Sequence, residues 1–201
     1  MKTSTPDTLD AVAEDIWQRL EQASKDRHSA MHTPVVCSAD GPFPTPRIMV
    51  LRGVDRNEPS LRFHTDLRSA KARHIAENAR VSVLAYEPQA RVQIVANGMG
   101  QLEAEGPRAQ AAWASSALTS RRCYLAEGAP GAPLEAMASG LPPHLLDRAP
   151  THAESEAGWP NFAIVIVRIE RIEWLKLTAC GNCRASFRAG PDGWTGSWIQ
   201  P

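Results

Sequence analysis

The stretch that decides the fold runs from residue 46 to residue 98 and contains PRIMVLRGVD (46–55), LRFHTDLRSAK (61–71) and RVQIVANG (91–98). These segments have the apolar pattern of strands, and the second one passes through a turn into a helical pattern. A helix N-terminus presents unpaired backbone N–H groups and a partial positive charge, which suit a phosphate. Four nearby side chains could also donate hydrogen bonds to an anion: Arg47, Arg68, Ser69 and Lys71. This stretch therefore predicts a site for a phosphorylated ligand.

The composition is that of an ordinary globular chain of 201 residues, 43% of them hydrophobic and 22% charged. Lys plus Arg and Asp plus Glu both number 22, so the net charge is zero and no affinity for nucleic acid is expected. The N-terminus lacks the apolar core of a signal peptide, and the longest apolar run, 162–167, is too short to span a bilayer. We therefore expect one cytoplasmic domain over residues 1–201 that does not contact a membrane.

Periodicity and turn residues predict about seven strands and a few helices. The helical segments are 7–27, within an N-terminal segment 1–30, then 69–78 and 107–125. The segments with strand character are 34–39, 47–54, 60–65, 80–86, 91–101, 162–177 with a break near Arg171, 184–188 and 194–199. Turns are expected at 40–42 and 55–58. Because strands and helices do not alternate, this order favours a mainly β (α+β) fold, an antiparallel barrel flanked by helices.

Residues 126–160 are rich in Gly, Pro, Ala and Ser, with only a short helical pattern at 143–147. A segment of this length without regular structure is typical of an active-site lid, a binding arm or a poorly ordered loop. We interpret it as a long loop and a possible lid.

The four cysteines and six histidines offer little support for a metal or nucleophile site. Cys180 and Cys183 have the spacing of a redox or metal-binding pair, but no second pair completes a zinc site. The histidines show no ligand-like spacing, and no G-x-S-x-G motif is present. We therefore expect no metal and regard the cysteine pair as part of a small-residue loop.

The segments RIMVLR (47–52), HTDLRSAK (64–71) and QIVANG (93–98), in this order and spacing, resemble the pyridoxamine 5′-phosphate oxidase family of FMN-binding split barrels. The likeness covers roughly residues 34–105 and resumes at IEWLKL (172–177), RASF (184–187) and WIQP (198–201). It is closest to the oxidase-related branch rather than to the vitamin B6 enzyme itself. The resemblance implies an antiparallel split β-barrel, FMN as the cofactor, and a homodimer with FMN at the interface.

The resemblance also implies which residues contact the cofactor, and it assigns no catalytic side chain because the flavin itself carries the chemistry. The implied contacts are Arg47, Ile48, Met49, Val50, Leu51, Arg52, His64, Thr65, Arg68, Ser69, Lys71, Gln93, Trp174 and Arg184. Arg47, Ser69 and Lys71 would hold the phosphate. Arg68 would compensate for Ala70, where the family has a second basic residue.

Three of these contacts concern the flavin ring. Gln93 would form a hydrogen bond with the polar edge of the isoalloxazine. Trp174 and Arg184 would complete the site from the partner subunit, where a cation near the ring would stabilise the anionic reduced flavin. Each residue also has a structural alternative. Gln93 could simply face solvent on its strand, Trp174 could be a core residue, and Arg184 could be a solvated surface charge.

The chain departs from the B6 enzyme at the positions that contact substrate. That enzyme's Arg-x-His is replaced by Cys180-Gly-Asn182, and its near-terminal R-L-A-P by Trp198-Ile199-Gln200-Pro201. The position that is often Arg two residues after the glutamine is Val95. Arg52 stands where the enzyme has a substrate-binding lysine. We therefore expect FMN to bind and pyridoxamine phosphate not to be the substrate.

Two classes of function remain open from the sequence. The first is an FMN-dependent oxidoreductase that transfers a hydride or electrons between a small substrate and FMN, with oxygen or a nicotinamide electron donor as the other reactant. The second is a split barrel that binds flavin or haem without turnover, as a carrier or sensor, for which His64 and His74 are the candidate haem ligands. A nucleic-acid-binding barrel is disfavoured by the zero net charge and by only 6% aromatic residues.

Overall fold

The computed structural model describes residues 6–40 and 43–201, and these form a nine-stranded antiparallel sheet flanked by helices. The strands are β1 (Val35–Asp40), β2 (Phe43–Ile48), β3 (Leu51–Asp55), β4 (Ser60–Asp66), β5 (Arg80–Glu87), β6 (Val92–Glu103), β7 (Phe162–Lys176), β8 (Cys183–Gly190) and β9 (Gly193–Ile199). Their order is β2-β1-β5-β6-β7-β4-β3, and β8 also pairs with β7 and with β9. The predicted antiparallel split barrel with flanking helices is confirmed.

Strand β7 is the element at which the barrel splits. Its first half pairs with β4 and its second half with β8, while β6 runs along both halves. The two halves are separated by a bulge, because Asn97 is opposite Arg171 whereas Gly98 is opposite Ile169, which leaves Glu170 unpaired. The break predicted near Arg171 is this bulge.

The helices are α1 (Leu9–Lys25), α2 (Ala70–Glu77), α3 (Pro107–Ala114), α4 (Leu118–Arg121) and α5 (His152–Glu156). Short 3₁₀ turns occupy Ala30–His32, Arg122–Leu125, Pro143–Leu145 and Trp159–Asn161. Helix α1 begins after Thr8, whose side chain accepts a hydrogen bond from the Ala11 N–H at 3.2 Å. Its apolar face (Val12, Ile16, Leu20 and Ala23) is buried in the main core. Among the described residues, no helix is long and apolar enough to cross a bilayer.

A second, smaller core lies outside the barrel and fixes the helices that follow β6. Trp113 of α3 and Tyr124 pack against Phe162 at the start of β7, with ring centroids 5.1 and 5.2 Å from the Phe162 ring. The fully buried Arg121 donates hydrogen bonds to the Trp113 carbonyl and, at 2.7 Å, to the Glu156 carboxylate. These contacts join α3, α4 and α5 into one layer over the sheet.

Three sequence-based boundaries differ from the structure. The predicted strand 47–54 is interrupted at Met49 and Val50, where the chain leaves β2, which pairs with β1, before it enters β3, which pairs with β4. The predicted helix 107–125 breaks after Ala114 into α3, α4 and a 3₁₀ turn. The expected turn at 40–42 includes Gly41 and Pro42, which lie outside the described residues.

The segment 126–160 contains more structure than its composition indicates. Helix α5 has a capping box, in which Thr151 and Glu154 exchange side-chain and backbone hydrogen bonds. Arg122 donates to the carbonyl of Arg148 at 3.2 Å, which ties the second half of the segment to the helical layer. A role as a lid stays a prediction.

Candidate functional site

A cavity of ≈ 270 Å³ opens where the bend between β2 and β3 faces β4, α2 and the helical layer. Six of its lining residues were predicted as cofactor contacts: Ile48, Met49, Val50, Arg52, His64 and Lys71. Four others were not predicted: Ser116, Ser120, Cys123 and Tyr124. The structure therefore brings together three segments: the strand segment 47–52, the turn 65–71 at the start of α2 (the phosphate turn), and residues 116–124, which follow β6 by more than ten residues.

Lys71 lines the cavity, and Arg47, which does not line it, lies close enough to lower the pKa of Lys71. Arg47 donates to the Ser38 hydroxyl at 2.8 Å and to the Val36 carbonyl at 3.3 Å, and it has no acidic partner among the described residues. Lys71, in the first turn of α2, makes no hydrogen bond or ion pair with the described residues. Burial lowers the pKa of Lys71, and the neighbouring Arg47 guanidinium lowers it further. Two adjacent, half-buried cations without a counter-charge fit an anionic ligand such as a phosphate.

Arg68, which is expected to compensate for Ala70, already has an acidic partner, and its role at the phosphate stays a prediction. Its guanidinium donates to both carboxylate oxygens of Asp66, at 3.1 and 2.8 Å, and to the Ala126 carbonyl at 3.1 Å. Asp66 is bonded to Arg68, and it only partly offsets the lowering of the Lys71 pKa by burial and by Arg47. Arg68 instead connects the phosphate turn with the beginning of the long segment.

The two hydroxyl residues of the turn are also committed locally. Ser69 is the N-cap of α2, and its hydroxyl donates to the Asp66 carbonyl at 2.6 Å. The Thr65 hydroxyl lies 3.3 Å from that of Ser69, and both side chains are buried. In this arrangement Ser69 shapes the turn but has no hydroxyl proton left to donate to a phosphate. The helix N-terminus and Lys71 remain as donors.

A second group of polar atoms in the cavity also has no protein partner. The Nε2 atom of His64 and the Nε atom of Arg52 are buried and have no hydrogen-bond partner among the described residues. Burial, together with smaller contributions from the guanidinium groups of Arg52 and Arg62, lowers the pKa of His64 to about 3, so the imidazole is neutral near pH 7. Burial raises the pKa of Tyr124, which keeps its phenol protonated. Arg52 is therefore the charged group facing this part of the cavity.

Gln93 and Arg184 lie on the outer face of the barrel instead of in the cavity of their own chain. Leu175 is opposite Gln93 on one side and opposite Arg184 on the other, so all three side chains point to the same face. Two strand spacings separate Gln93 from Arg184, roughly 10 Å. Arg184 forms an ion pair with Glu173 on this face.

Trp174 and Leu51 are interior residues, each 0% exposed. The Trp174 indole N–H donates to the Asp15 carboxylate at 3.0 Å, which fastens α1 to the barrel. A ligand on the barrel surface cannot contact either side chain. The structure thus corrects the expectation that Trp174 completes the site and supports its alternative as a core residue.

Residues 14–103 match the family model described as pyridoxamine 5′-phosphate oxidase, FMN-binding domain. This part of the chain is similar to the FMN-binding domain of the pyridoxamine 5′-phosphate oxidase family. The matched region includes the phosphate turn, Lys71 and Arg47, whose unpaired charges fit the FMN phosphate. FMN is therefore the cofactor, as predicted, and four lining residues of the cavity lie beyond the matched region.

Solved structures show the same fold over nearly the whole chain. A pyridoxamine 5′-phosphate oxidase-related, FMN-binding protein from Nostoc punctiforme is 20% identical with a TM-score of 0.70, and the match covers 98% of this chain and 99% of that one. PhzG from Burkholderia lata, solved with tetrahydrophenazine-1-carboxylic acid, is 14% identical with a TM-score of 0.72 over 98% and 94%. No curated protein matches the sequence.

The described residues contain no group of three or more His, Cys, Asp or Glu side chains that could hold a metal ion. Cys180, in the turn between β7 and β8, and Cys183, the first residue of β8, are free and exposed.

Proposed function

We propose that the protein is an FMN-dependent oxidoreductase that transfers a hydride or electrons between FMN and a small anionic substrate. The observation that carries this proposal is the second group of polar atoms in the cavity. Arg52 has no acidic partner among the described residues, and its buried Nε atom has no acceptor. A buried cation without a partner is costly, so an anionic group on the substrate would complete its interactions.

The residues of the cavity would divide the work between cofactor and substrate. Lys71 and Arg47 would bind the FMN phosphate, and the backbone at Met49 and Val50 would lie along the ring. Arg52 would bind the substrate anion, and the protonated Tyr124 would donate a hydrogen bond nearby. When bound, FMN supplies the redox chemistry, so no strong acid or base among the side chains is required.

We infer that the site is completed by a second copy of the chain. The outer face of the barrel carries the exposed apolar residues Ile48, Leu84 and Tyr86, with Ile48 at the rim of the cavity and 69% exposed. One row of paired residues crosses the sheet on this face. It begins at Ile48 on β2 and ends at Glu173 on β7. Between them lie Val35, Leu84 and Val95.

A two-fold axis through the middle of that row would place the Glu173 end of one subunit against the Ile48 end of the other, because an isologous interface pairs opposite ends of one patch. Gln93 and Arg184 lie beside the Glu173 end. Both would then reach the cofactor from the partner subunit, which extends to Gln93 the role predicted for Arg184.

The proposal is tested with the FMN-loaded protein under anaerobic conditions. We expect NADH or NADPH to bleach the visible flavin absorbance, and benzoate, an aromatic carboxylate chosen because the Burkholderia protein was solved with one, to perturb the flavin spectrum. Arg52→Met should weaken the benzoate response about tenfold or more while FMN affinity changes little. Arg168→Met, an exposed cation on β7, is the matched control.

The possible outcomes separate the two classes of function. Bleaching together with an Arg52-dependent benzoate response supports the oxidoreductase. An Arg52-dependent response without reduction by either nicotinamide would favour the carrier or sensor. A response equal in Arg52→Met and in the control would refute the anion-binding role. Haem is disfavoured at His74 because its side chain is on the buried face of α2, so an iron could bind there only after that helix moved.

A further inference from the structure

A cluster of three charges lies on the outer face of the barrel, beside the residues proposed to reach the partner's FMN. The Glu173 carboxylate accepts hydrogen bonds through one oxygen from Arg171 and through the other from Arg184. The Glu173 side chain is only 12% exposed, whereas the two arginines are about one-third exposed. Glu173 is thus the buried centre of the cluster, and both of its oxygens are occupied by guanidinium groups.

The strand register makes this arrangement specific. Glu173 and Arg171 are two residues apart on β7, so their side chains point to the same face. Arg184 on β8 is opposite Leu175 and therefore diagonal to Glu173 on the neighbouring strand. A long side chain on a free strand end could adopt many rotamers. Bonding to a nearly buried carboxylate restricts Arg184 to the few rotamers that reach it.

Glu173 also changes the charge that this face presents. Arg171 and Arg184 alone would contribute two positive charges, and Glu173 reduces the total to one. A ligand that becomes more negative on reduction is stabilised by a nearby cation, and a carboxylate on that cation weakens the effect.

We propose that Glu173 is a positioning residue that holds Arg184 toward the flavin of the partner subunit and offsets its charge. This inference rests on the proposed function. By offsetting the charge of Arg184, Glu173 reduces the preference of the site for reduced FMN over oxidised FMN. The flavin midpoint potential is therefore lower than it would be with Arg184 alone. A carboxylate that only packed the barrel would leave that potential unchanged.

The test measures the dissociation constant of oxidised FMN by fluorescence and the midpoint potential by anaerobic dye equilibration. In Glu173→Gln the ratio of affinities for reduced and oxidised FMN should rise about tenfold, which for a two-electron couple is a shift of about 30 mV to higher potential. Arg184→Gln should shift the potential in the opposite direction. Glu170→Gln, which removes an exposed charge from the same strand, is the control and should shift it least.

The outcomes also separate this inference from the proposed function. If the wild-type protein binds no FMN, the proposed function fails. If it binds FMN but Glu173→Gln and Glu170→Gln have equal potentials, only the role of Glu173 is refuted. Should Glu173→Gln fail to fold, Arg184→Gln and Glu173→Asp still decide the question. Asp keeps the charge but shortens the side chain, so it should weaken FMN binding, and an unchanged affinity would refute the positioning role.

Discussion

Lys71 should make opposite contributions to the stability of the protein without FMN and to FMN affinity. It is half-buried next to Arg47, and burial and that neighbour both lower its pKa. The nearest acid, Asp66, is already bonded to Arg68. In Lys71→Met the apolar part of the side chain is retained and the uncompensated charge is removed. We therefore expect the FMN-free variant to be at least as stable as the wild type.

The loss in FMN affinity should be large. A hydrogen bond to a charged group contributes about 1.5–3 kcal/mol, which at about 1.4 kcal/mol per tenfold corresponds to a dissociation constant roughly 10- to 100-fold higher. Arg73→Met is the matched control, because Arg73 is an exposed cation on the same helix. Its FMN affinity should stay within about threefold of the wild type.

The lowered pKa also predicts how stability depends on pH. Between the folded pKa of Lys71 and its unfolded value of 10.5, the unfolded chain binds more protons than the folded one. Stability of the FMN-free protein should therefore rise as the pH increases through this window. Lys71→Met removes this contribution, while Arg73→Met keeps it.

Urea unfolding of the FMN-free proteins at about pH 7 and about pH 9.5 measures this difference, and fluorescence titration measures FMN affinity. Other titrating groups change the absolute stability in all three proteins, so the informative quantity is the difference between the two variants. If Lys71→Met were less stable than Arg73→Met by more than about 1 kcal/mol, or bound FMN equally well, the reasoning would be wrong.

Two further substitutions test the fold around the site. Gly98→Ala would place a Cβ atom 1.9 Å from the Arg168 carbonyl oxygen at the β7 bulge, so we expect a loss of several kcal/mol or failure to fold, measured by urea unfolding. Trp174→Phe removes the hydrogen bond to Asp15 and should cost about 1–3 kcal/mol of unfolding free energy without changing FMN affinity; a large loss of affinity at unchanged stability would restore Trp174 as a cofactor contact.

Local patterns in the sequence were sufficient to predict most of the fold. Alternation within 80–86 and 91–101 and the apolar spacing of 7–27 agree with β5, β6 and α1, because each pattern reports which face of a single element is buried. The interruption at Met49 separates β2, which pairs with β1, from β3, which pairs with β4, and a local window contains neither pairing. Helix α5 was missed although the pair Thr151 and Glu154 is a recognisable capping box.

The sequence was sufficient to predict several residues of the candidate site, but not the residues with which they form hydrogen bonds and ion pairs. Arg52, His64 and Lys71 do line the cavity, as their strand and turn positions indicated. The ion pair of Arg68 was not predicted, because a sequence gives the donor and not its acceptor, although Asp66 two residues earlier could have suggested it. Ser120 and Tyr124 could not have been found, since only the packing of the helical layer on Phe162 brings them to the cavity.

The distribution of ion pairs is the strongest physical argument for where the ligand binds. The chain has equal numbers of acidic and basic residues, so unpaired cations do not result from a shortage of carboxylates. Each of three arginines forms an ion pair that joins two parts of the structure or two residues of neighbouring strands: Arg68 with Asp66, Arg121 with Glu156, and Arg184 with Glu173.

Within the described part of the chain, by contrast, no acid pairs with Arg47, Arg52 or Lys71, although all three are half-buried where an unpaired charge is costly. A protein that only had to fold would gain stability by pairing or replacing these residues. Arg52 and Lys71 line one cavity and Arg47 lies next to Lys71, so we propose that their retention reflects anions that would bind there: the FMN phosphate at Arg47 and Lys71, and a substrate anion at Arg52. Removing either end should therefore affect binding far more than folding.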